Sequence, residues 1–520
     1  MEAPDWIIIF ISLFLSLLFI KIFLPLLFPS NKNKTIPGPL TIPIISSLLW
    51  LLKYSSSGLE QVLRDLKTKH GPIFWFPLWF RPTIFIADGS LAHQALVQNG
   101  AVFSDRPEPP PINKIINNNQ HNINSAAYGP LWRTLRRNLS SVMLHPSRVK
   151  SFSGARKRVL GILVDKLKSD SESSSSGIRV MPHFQYAMFC LLVCMLFGDT
   201  ADEKQIREIE DFQCRLIDNG RRFAILNFWP SITKILFHKR WKEFLQIIRD
   251  REAVLIPLIT GRRKAKQERS SKAKEESTVP YIDTLLDLQI PEENTHRNLH
   301  GPELLSLCTE FLTAGTDTTS TALQWIMANL VKYPRIQQRV VGEIRDAMGD
   351  RQEREVKEED LQKLPYLKAV ILEGLRLHPP GHFVLPHVVT DDVVLEGYSV
   401  PKSWTINFMV AEMGRDPRVW EDPMAFKPER FLNSEGSKLE AFDVTGSKEI
   451  KMMPFGAGRR ICPGYNLALL HLEYFVANLI WNFEWKVENG GHVDLSEKPE
   501  FTVVMKTPLQ AQITPRLQIS

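Results

Sequence analysis

The sequence predicts a mainly α-helical body with small β-sheets, preceded by one N-terminal transmembrane helix. Three observations carry this. Residues 6–28 are almost wholly apolar, a length that crosses a bilayer. Apolar side chains recur at helical spacing over much of the remainder, clearest in residues 302–333 and from Tyr465 through Leu467, Leu469, Leu470, Leu472 and Phe475. Strand-like runs are short and scattered, so a βαβ array is excluded.

The apolar stretch is interrupted by Lys21 and Pro25. Glu2 and Asp5 precede it and Lys32 and Lys34 follow it, and basic residues stay on the cytoplasmic side. Residues 1–30 are therefore assigned as a membrane anchor with the body in the cytosol. A cleaved signal peptide is the competing reading, disfavoured by the long apolar part and the acidic start. Residues 31–43 form a basic, proline-rich hinge, in which Pro37, Pro39 and Pro43 stop the anchor helix and stiffen the connector.

With 520 residues, 44% of them hydrophobic and 23% charged, the body can bury a large core. The formal net charge of +7 suits an acidic partner or an anionic membrane surface. No zinc-finger or RNA-binding signature points to nucleic acid. Five cysteines (Cys190, Cys194, Cys214, Cys308 and Cys462) are odd in number and lack framework spacing, which fits a reducing compartment. Cys190 and Cys194 can share a helix face, where packing is expected rather than a metal pair.

Within the body, Ile73–Phe76 and Thr83–Ile86 read as two strands around Arg81-Pro82, with shorter strands at Val393–Leu395 and Thr405–Val410. Residues 107–124, rich in Pro and Asn, read as a loop. Leu131–Arg137 reads as a helix with Trp132 and Arg136 on one face. Residues 169–177 read as a serine-rich exposed loop, and residues 261–276 as a charged, mostly basic loop, solvated or disordered. Residues 221–244 mix aromatic and aliphatic side chains with Arg and Lys. They fit a segment dipping into lipid headgroups beside a substrate entrance, or a packed surface helix pair.

The chain is organised around Phe455-Gly456-Ala457-Gly458-Arg459-Arg460-Ile461-Cys462-Pro463-Gly464. Cys462 sits where a turn meets a helix N-terminus, whose positive end favours a thiolate. Pro463 is tolerated in a first helical turn. The glycines permit positive φ and close backbone approach, and Arg460 suits a carboxylate. A dinucleotide reading of Gly456-Ala457-Gly458 fails, because the third glycine and the following acidic residue are not there.

This loop resembles the heme-binding signature of the cytochrome P-450 family at every fixed position. The resemblance implies a P-450 fold and a heme b whose iron takes Cys462 as axial ligand. Phe455 and Gly464 would lie against the cofactor, and Arg460, Trp132 and Arg136 would hold its propionates. His387 stands where many relatives carry an Arg with that task.

In the long helix, Ala314-Gly315-Thr316-Asp317-Thr318-Thr319-Ser320-Thr321 is poor helix sequence, while the apolar period continues on both sides. An opened groove within a continuous helix is expected. The family's oxygen-binding motif falls here, which implies that Thr318 hydrogen-bonds the dioxygen to be activated and Asp317 serves a proton relay. Positioned acid–base groups typically contribute ~10²–10⁴ in rate. Glu373 and Arg376, three apart, and Arg430 match the family's charged triad, with the implied role of locking the cysteine loop.

Residues 44–520 are thus expected to be a heme-thiolate catalytic domain. The wording of residues 314–319 and 428–431 resembles the plant microsomal group. The implied activity is a monooxygenase of the endoplasmic reticulum membrane, single-pass, with its catalytic domain cytosolic. It would oxidise an apolar small organic metabolite of a plant with O2. No GxGxxG fingerprint and no spare length after the cysteine helix are found, so electrons are expected from a separate NADPH-cytochrome P-450 reductase, with cytochrome b5 as a further candidate partner. Arg133, Arg136, Arg137, Arg148 and Lys150 could steer such an acidic partner. The alternatives are a heme-thiolate isomerase or dehydratase acting on a peroxide, and a non-enzymatic membrane hemoprotein.

Overall fold

Two helices that run against each other set the frame, Gly301–Lys332 and Met181–Phe197. Both are apolar nearly all round, as suits helices enclosed by protein. They approach closely because residue 315 is glycine: a Cβ there would lie 2.7 Å from Leu192 Cδ1. The central helix Gly301–Lys332 starts on a capping box, with Glu303 accepting from the His300 backbone N–H at 2.7 Å. The computed structural model describes residues 34–39, 58–78, 81–173, 177–199, 201–270, 278–292, 295–349, 351, 355–487 and 491–516. The assigned anchor, residues 1–30, and most of the hinge lie outside these. Among the described residues no helix is long and apolar enough to cross a membrane.

The described part of the hinge docks on the body. Lys34–Thr35 pairs in parallel with Tyr398–Ser399, and the Trp75 N–H donates to the Pro37 carbonyl at 2.9 Å. A four-stranded sheet follows, in the order Ile73–Leu78, Arg81–Ile86, Thr405–Phe408, His387–Val388. The two middle strands are parallel, from Thr83 opposite Thr405 to Ile86 opposite Phe408. Arg81-Pro82 is therefore strand rather than turn. Pro82 faces Pro77 ahead of the stretch that pairs with Thr405–Phe408, so it takes no donor from that ladder. Thr405–Val410 shortens to Thr405–Phe408, with Val410 opening a short helix. Most of the helices bury one continuous apolar core, and the sheet backs a second, smaller one.

Three expected loops are partly helix. Pro111–Ile116 is helical behind Pro110, since Pro111 suits a first turn. The helix Ser153–Ser173 runs into the serine-rich stretch. His238–Ser270 continues through the basic run, because Lys, Arg, Gln and Glu are strong helix formers. There Arg262 is buried against Asp283, with Nε and Nη2 each 2.7 Å from a carboxylate oxygen, so that run is not simply solvated. Cys190 and Cys194 share the helix Met181–Phe197 as free thiols, and no metal-binding cluster occurs among the described residues.

Candidate active site

The cysteine loop is held from its own backbone. The Cys462 N–H donates to the Phe455 carbonyl at 2.8 Å, and Gly456 and Gly458 have φ of 70° and 68°. A Cβ at position 458 would lie 2.0 Å from the Leu96 carbonyl oxygen, so only glycine closes this turn. The following helix begins at Tyr465, with Gly464 as its cap. Pro463 thus precedes the helix instead of occupying its first turn. Burial pushes the Cys462 thiol up, against the opposing pull of the Gly464 N–H and the Arg136 guanidinium. The helix end alone therefore does not make a thiolate, and a bound metal cation would have to displace the proton.

Trp132 and Arg136 project from the helix Pro130–Arg137, with the guanidinium 5.9 Å from the indole. Arg136 Nη2 donates to the Ile461 carbonyl at 2.6 Å, tying that helix to the cysteine loop. Arg460 lies 4.5 Å from the other part of this cluster, the Trp132 ring, and donates to the carbonyls of Ser104 at 2.8 Å, Ile123 at 3.1 Å and Ala126 at 2.6 Å. Trp132 Nε1 donates to the same Ile123 carbonyl at 3.1 Å. His387 is buried, its Nδ1 2.6 Å from the Phe103 carbonyl, and burial lowers its pKa to about 3. Burial and the nearby Arg106 guanidinium hold its ring neutral.

The cation in that neighbourhood is Arg106, which sequence reading missed. It donates through Nη1 to Leu385 and Pro386 carbonyls at 2.7 and 2.8 Å, and through Nε to the Asn124 carbonyl at 2.8 Å. Burial lowers its pKa to about 9. Glu310, also missed, accepts from the Ile123 and Asn124 N–H groups at 2.9 and 2.6 Å. Burial raises its pKa to about 7 despite those bonds. Both residues grip the segment that Arg460 and Trp132 hold, and neither stands in a motif that would have named it.

The central helix is unbroken through Ala314–Thr321. Its hydroxyls bond back one turn: Thr309 to Leu305, Thr318 to Ala314 at 2.6 Å, and Ser320 to Thr316 at 2.8 Å. The expected groove is thus a strip of unpacked surface, not a break in the helix. Ala314 is exposed and Glu310, Phe311, Thr313, Gly315, Asp317 and Thr318 around it are half-buried, between the enclosed stretches 303–309 and 319–331. Glu310 fixes the direction of that strip, because its carboxylate meets the segment that Arg460 of the cysteine loop also holds. The Asp317 carboxyl accepts from Thr502 Oγ1 at 2.8 Å, a residue that no sequence motif marked.

Glu373, Arg376 and Arg430 assemble as expected. Arg376 donates to Glu373 through Nε at 2.6 Å and Nη2 at 2.8 Å, and Arg430 Nε donates at 3.1 Å. Both guanidinium groups lie over Trp420, at 5.3 and 5.8 Å, whose Nε1 donates to the Lys451 carbonyl just ahead of the cysteine loop.

These residues suit a flat group bearing a metal. A soft sulfur donor sits on a glycine-rich loop, its partly open surface matched by an unpacked strip on the central helix, with several cations close to the loop. Comparison with known proteins agrees. The family description Cytochrome P450 matches residues 36–515. Cytochrome P450 89A9 of Arabidopsis thaliana is 50% identical over 513 residues, covering 97% of this chain and 98% of the relative. An isoflavone 2'-hydroxylase of Medicago truncatula is 32% identical, covering 94% of each. A zebra fish cytochrome P450 structure with progesterone superposes with a TM-score of 0.70 at 24% identity, over 88% of this chain and 99% of that one, which carries the fold alone. A cysteine loop, a buried charged triad and an alignment spanning nearly the whole body coincide in one chain, and that chain belongs to the cytochrome P450 family of heme-thiolate monooxygenases.

Proposed function

We propose that the enzyme is a membrane-anchored plant monooxygenase that oxidises an apolar small organic metabolite in the cytosol-facing space at the endoplasmic reticulum membrane. The observation that carries this reading is the half-open part of the central helix around Ala314, whose Glu310 accepts from Ile123 and Asn124 in the segment that Arg460 of the cysteine loop also holds at Ile123. Heme, when bound to Cys462, supplies the iron at which dioxygen is activated with two electrons. Phe455 and Gly464 would lie against the cofactor, and Arg136, Arg460 and Trp132 would hold the propionates in exchange for carbonyl partners. Thr318 Oγ1 donates to the Ala314 carbonyl, which leaves its lone pairs free to accept a hydrogen bond from a water in the opening. Asp317, the next residue, is the acid that would resupply protons.

The likeness to an isoflavone hydroxylase supports an apolar, ring-bearing substrate. Exposed Trp229, Ile232, Ile235 and Leu236, set among Lys234, Lys239 and Arg240, support a second contact with lipid besides the anchor assigned to residues 1–30. Electrons would come from an NADPH-cytochrome P-450 reductase or from cytochrome b5, received at a face where Arg133 and Arg137 are exposed.

Candidate substrates, added to purified protein with reductase, are expected to cause a spin-state change on binding and a product one oxygen atom heavier. Changing Thr318 to Ala is expected to leave the substrate-induced change intact while diverting most electrons to peroxide. Tight coupling of electrons to product in Thr318→Ala would remove the proposed role.

A further inference from the structure

The hairpin of strands Glu497–Pro499 and Val503–Met505 reaches the central helix from far along the chain and turns over beside Asp317. It is pinned on several sides. The Val503 N–H donates to the Pro380 carbonyl and Trp325 Nε1 donates to the Val503 carbonyl, both at 2.8 Å. Glu497 is clasped by Arg415 and lies 3.0 Å from His378 Nδ1, and the His378 ring stacks on Trp325 at 4.1 Å. The turn residue Thr502 is consequently fixed, and it is only 4% exposed. Its Oγ1 lies 2.8 Å from Asp317 Oδ2 and 3.0 Å from Thr321 Oγ1. The Thr318 hydroxyl is meanwhile taken by its own helix.

We propose that Thr502 is a positioning residue for Asp317, its hydroxyl holding the carboxyl at the hairpin and setting the pH at which it takes up and releases its proton. This deepens the functional reading above and rests on Asp317 being the proton-supplying acid. A hydroxyl suits the task because it donates to a carboxylate and accepts from a carboxylic acid, so the contact persists through both states. Thr321 supplies or receives the second bond of that hydroxyl.

The groups facing Asp317 come from three other elements. Gln185 of the helix Met181–Phe197 hydrogen-bonds it. Asp218 and the thiol of Cys214 come from the helix Glu203–Asp218, and Glu500, ion-paired with Lys498, from the hairpin turn. Burial raises the proton affinity of Asp317 most, and the bonds from Thr502 and Gln185 lower it. Glu500 and Asp218 add to the rise. Deleting the Thr502 hydroxyl removes a bond that favours the carboxylate, so protonation should move to higher pH.

The test is an infrared titration of the ferric holoenzyme, with the Asp317 carboxyl band identified by its loss in Asp317→Asn. In Thr502→Val, which keeps the shape, the midpoint is expected to rise by about one pH unit, and Thr502→Ser to restore it. Peroxide released per electron should rise several-fold in the valine variant and return in the serine variant. An Asp317 band unmoved in frequency and midpoint in Thr502→Val would overturn the proposal. A moved midpoint with unchanged coupling would uphold the contact and remove Asp317 from proton supply.

Discussion

Replacing Glu373 with alanine is expected to cost about 3–5 kcal/mol of folding stability, because it leaves buried guanidinium charge without its counterion. Both carboxylate oxygens are in use: Oε2 accepts from Arg376 Nε, and Oε1 from Arg376 Nη2, Arg430 Nε and the Lys427 N–H at 2.8 Å. Glu373 and Arg376 are fully enclosed, so water cannot take over these bonds. An exposed pair at the same spacing would contribute a few tenths of a kcal/mol. Arg376 also donates to the Gly414 carbonyl at 2.6 Å and the Pro423 carbonyl at 2.8 Å, so its displacement would loosen residues 414–425 and the Trp420 contact under the cysteine loop. Denaturant unfolding of the variant checks this. A loss below 1 kcal/mol would show that the triad does not hold the fold.

Cys462→Ala is expected to lose the bound heme almost entirely while keeping the fold. The loop does not depend on the side chain: the Cys462 N–H to Phe455 bond, the Arg136 to Ile461 bond and the Gly458 contact are all made by or to backbone. Circular dichroism and the unfolding midpoint of the heme-free protein should therefore stay close to those of the parent, while pigment retained after gel filtration falls to a trace. Retention of heme at parental stoichiometry would mean that another group holds the iron.

The parts of the site that the sequence made legible are those written within a few residues. The cysteine loop, the Trp132–Arg136 face and the Glu373–Arg376 pair are local patterns whose spacing fixes their geometry. Arg430 joined them through resemblance, and the structure seats it. Thr502, Arg106, Glu310 and Glu497 were not legible, because each reaches its partner across a long stretch of chain with no periodicity to announce it. Asp317 shows the same limit in reverse: its place beside Thr318 in sequence suggested a pair, but successive helix residues point about 100° apart and its carboxyl turns to the hairpin. The basic run after Gly261 misled because charge reads as solvation, whereas its Lys, Arg and Gln favour helix and Arg262 found a buried aspartate.

The absorption spectrum of the reduced, CO-treated protein reads the bond from Cys462 sulfur to heme iron. The expected spectrum carries the strongly red-shifted Soret band of a thiolate-ligated heme. A Soret band at the position typical of nitrogen ligation, or a colourless protein from cells supplied with ample porphyrin, would contradict that bond.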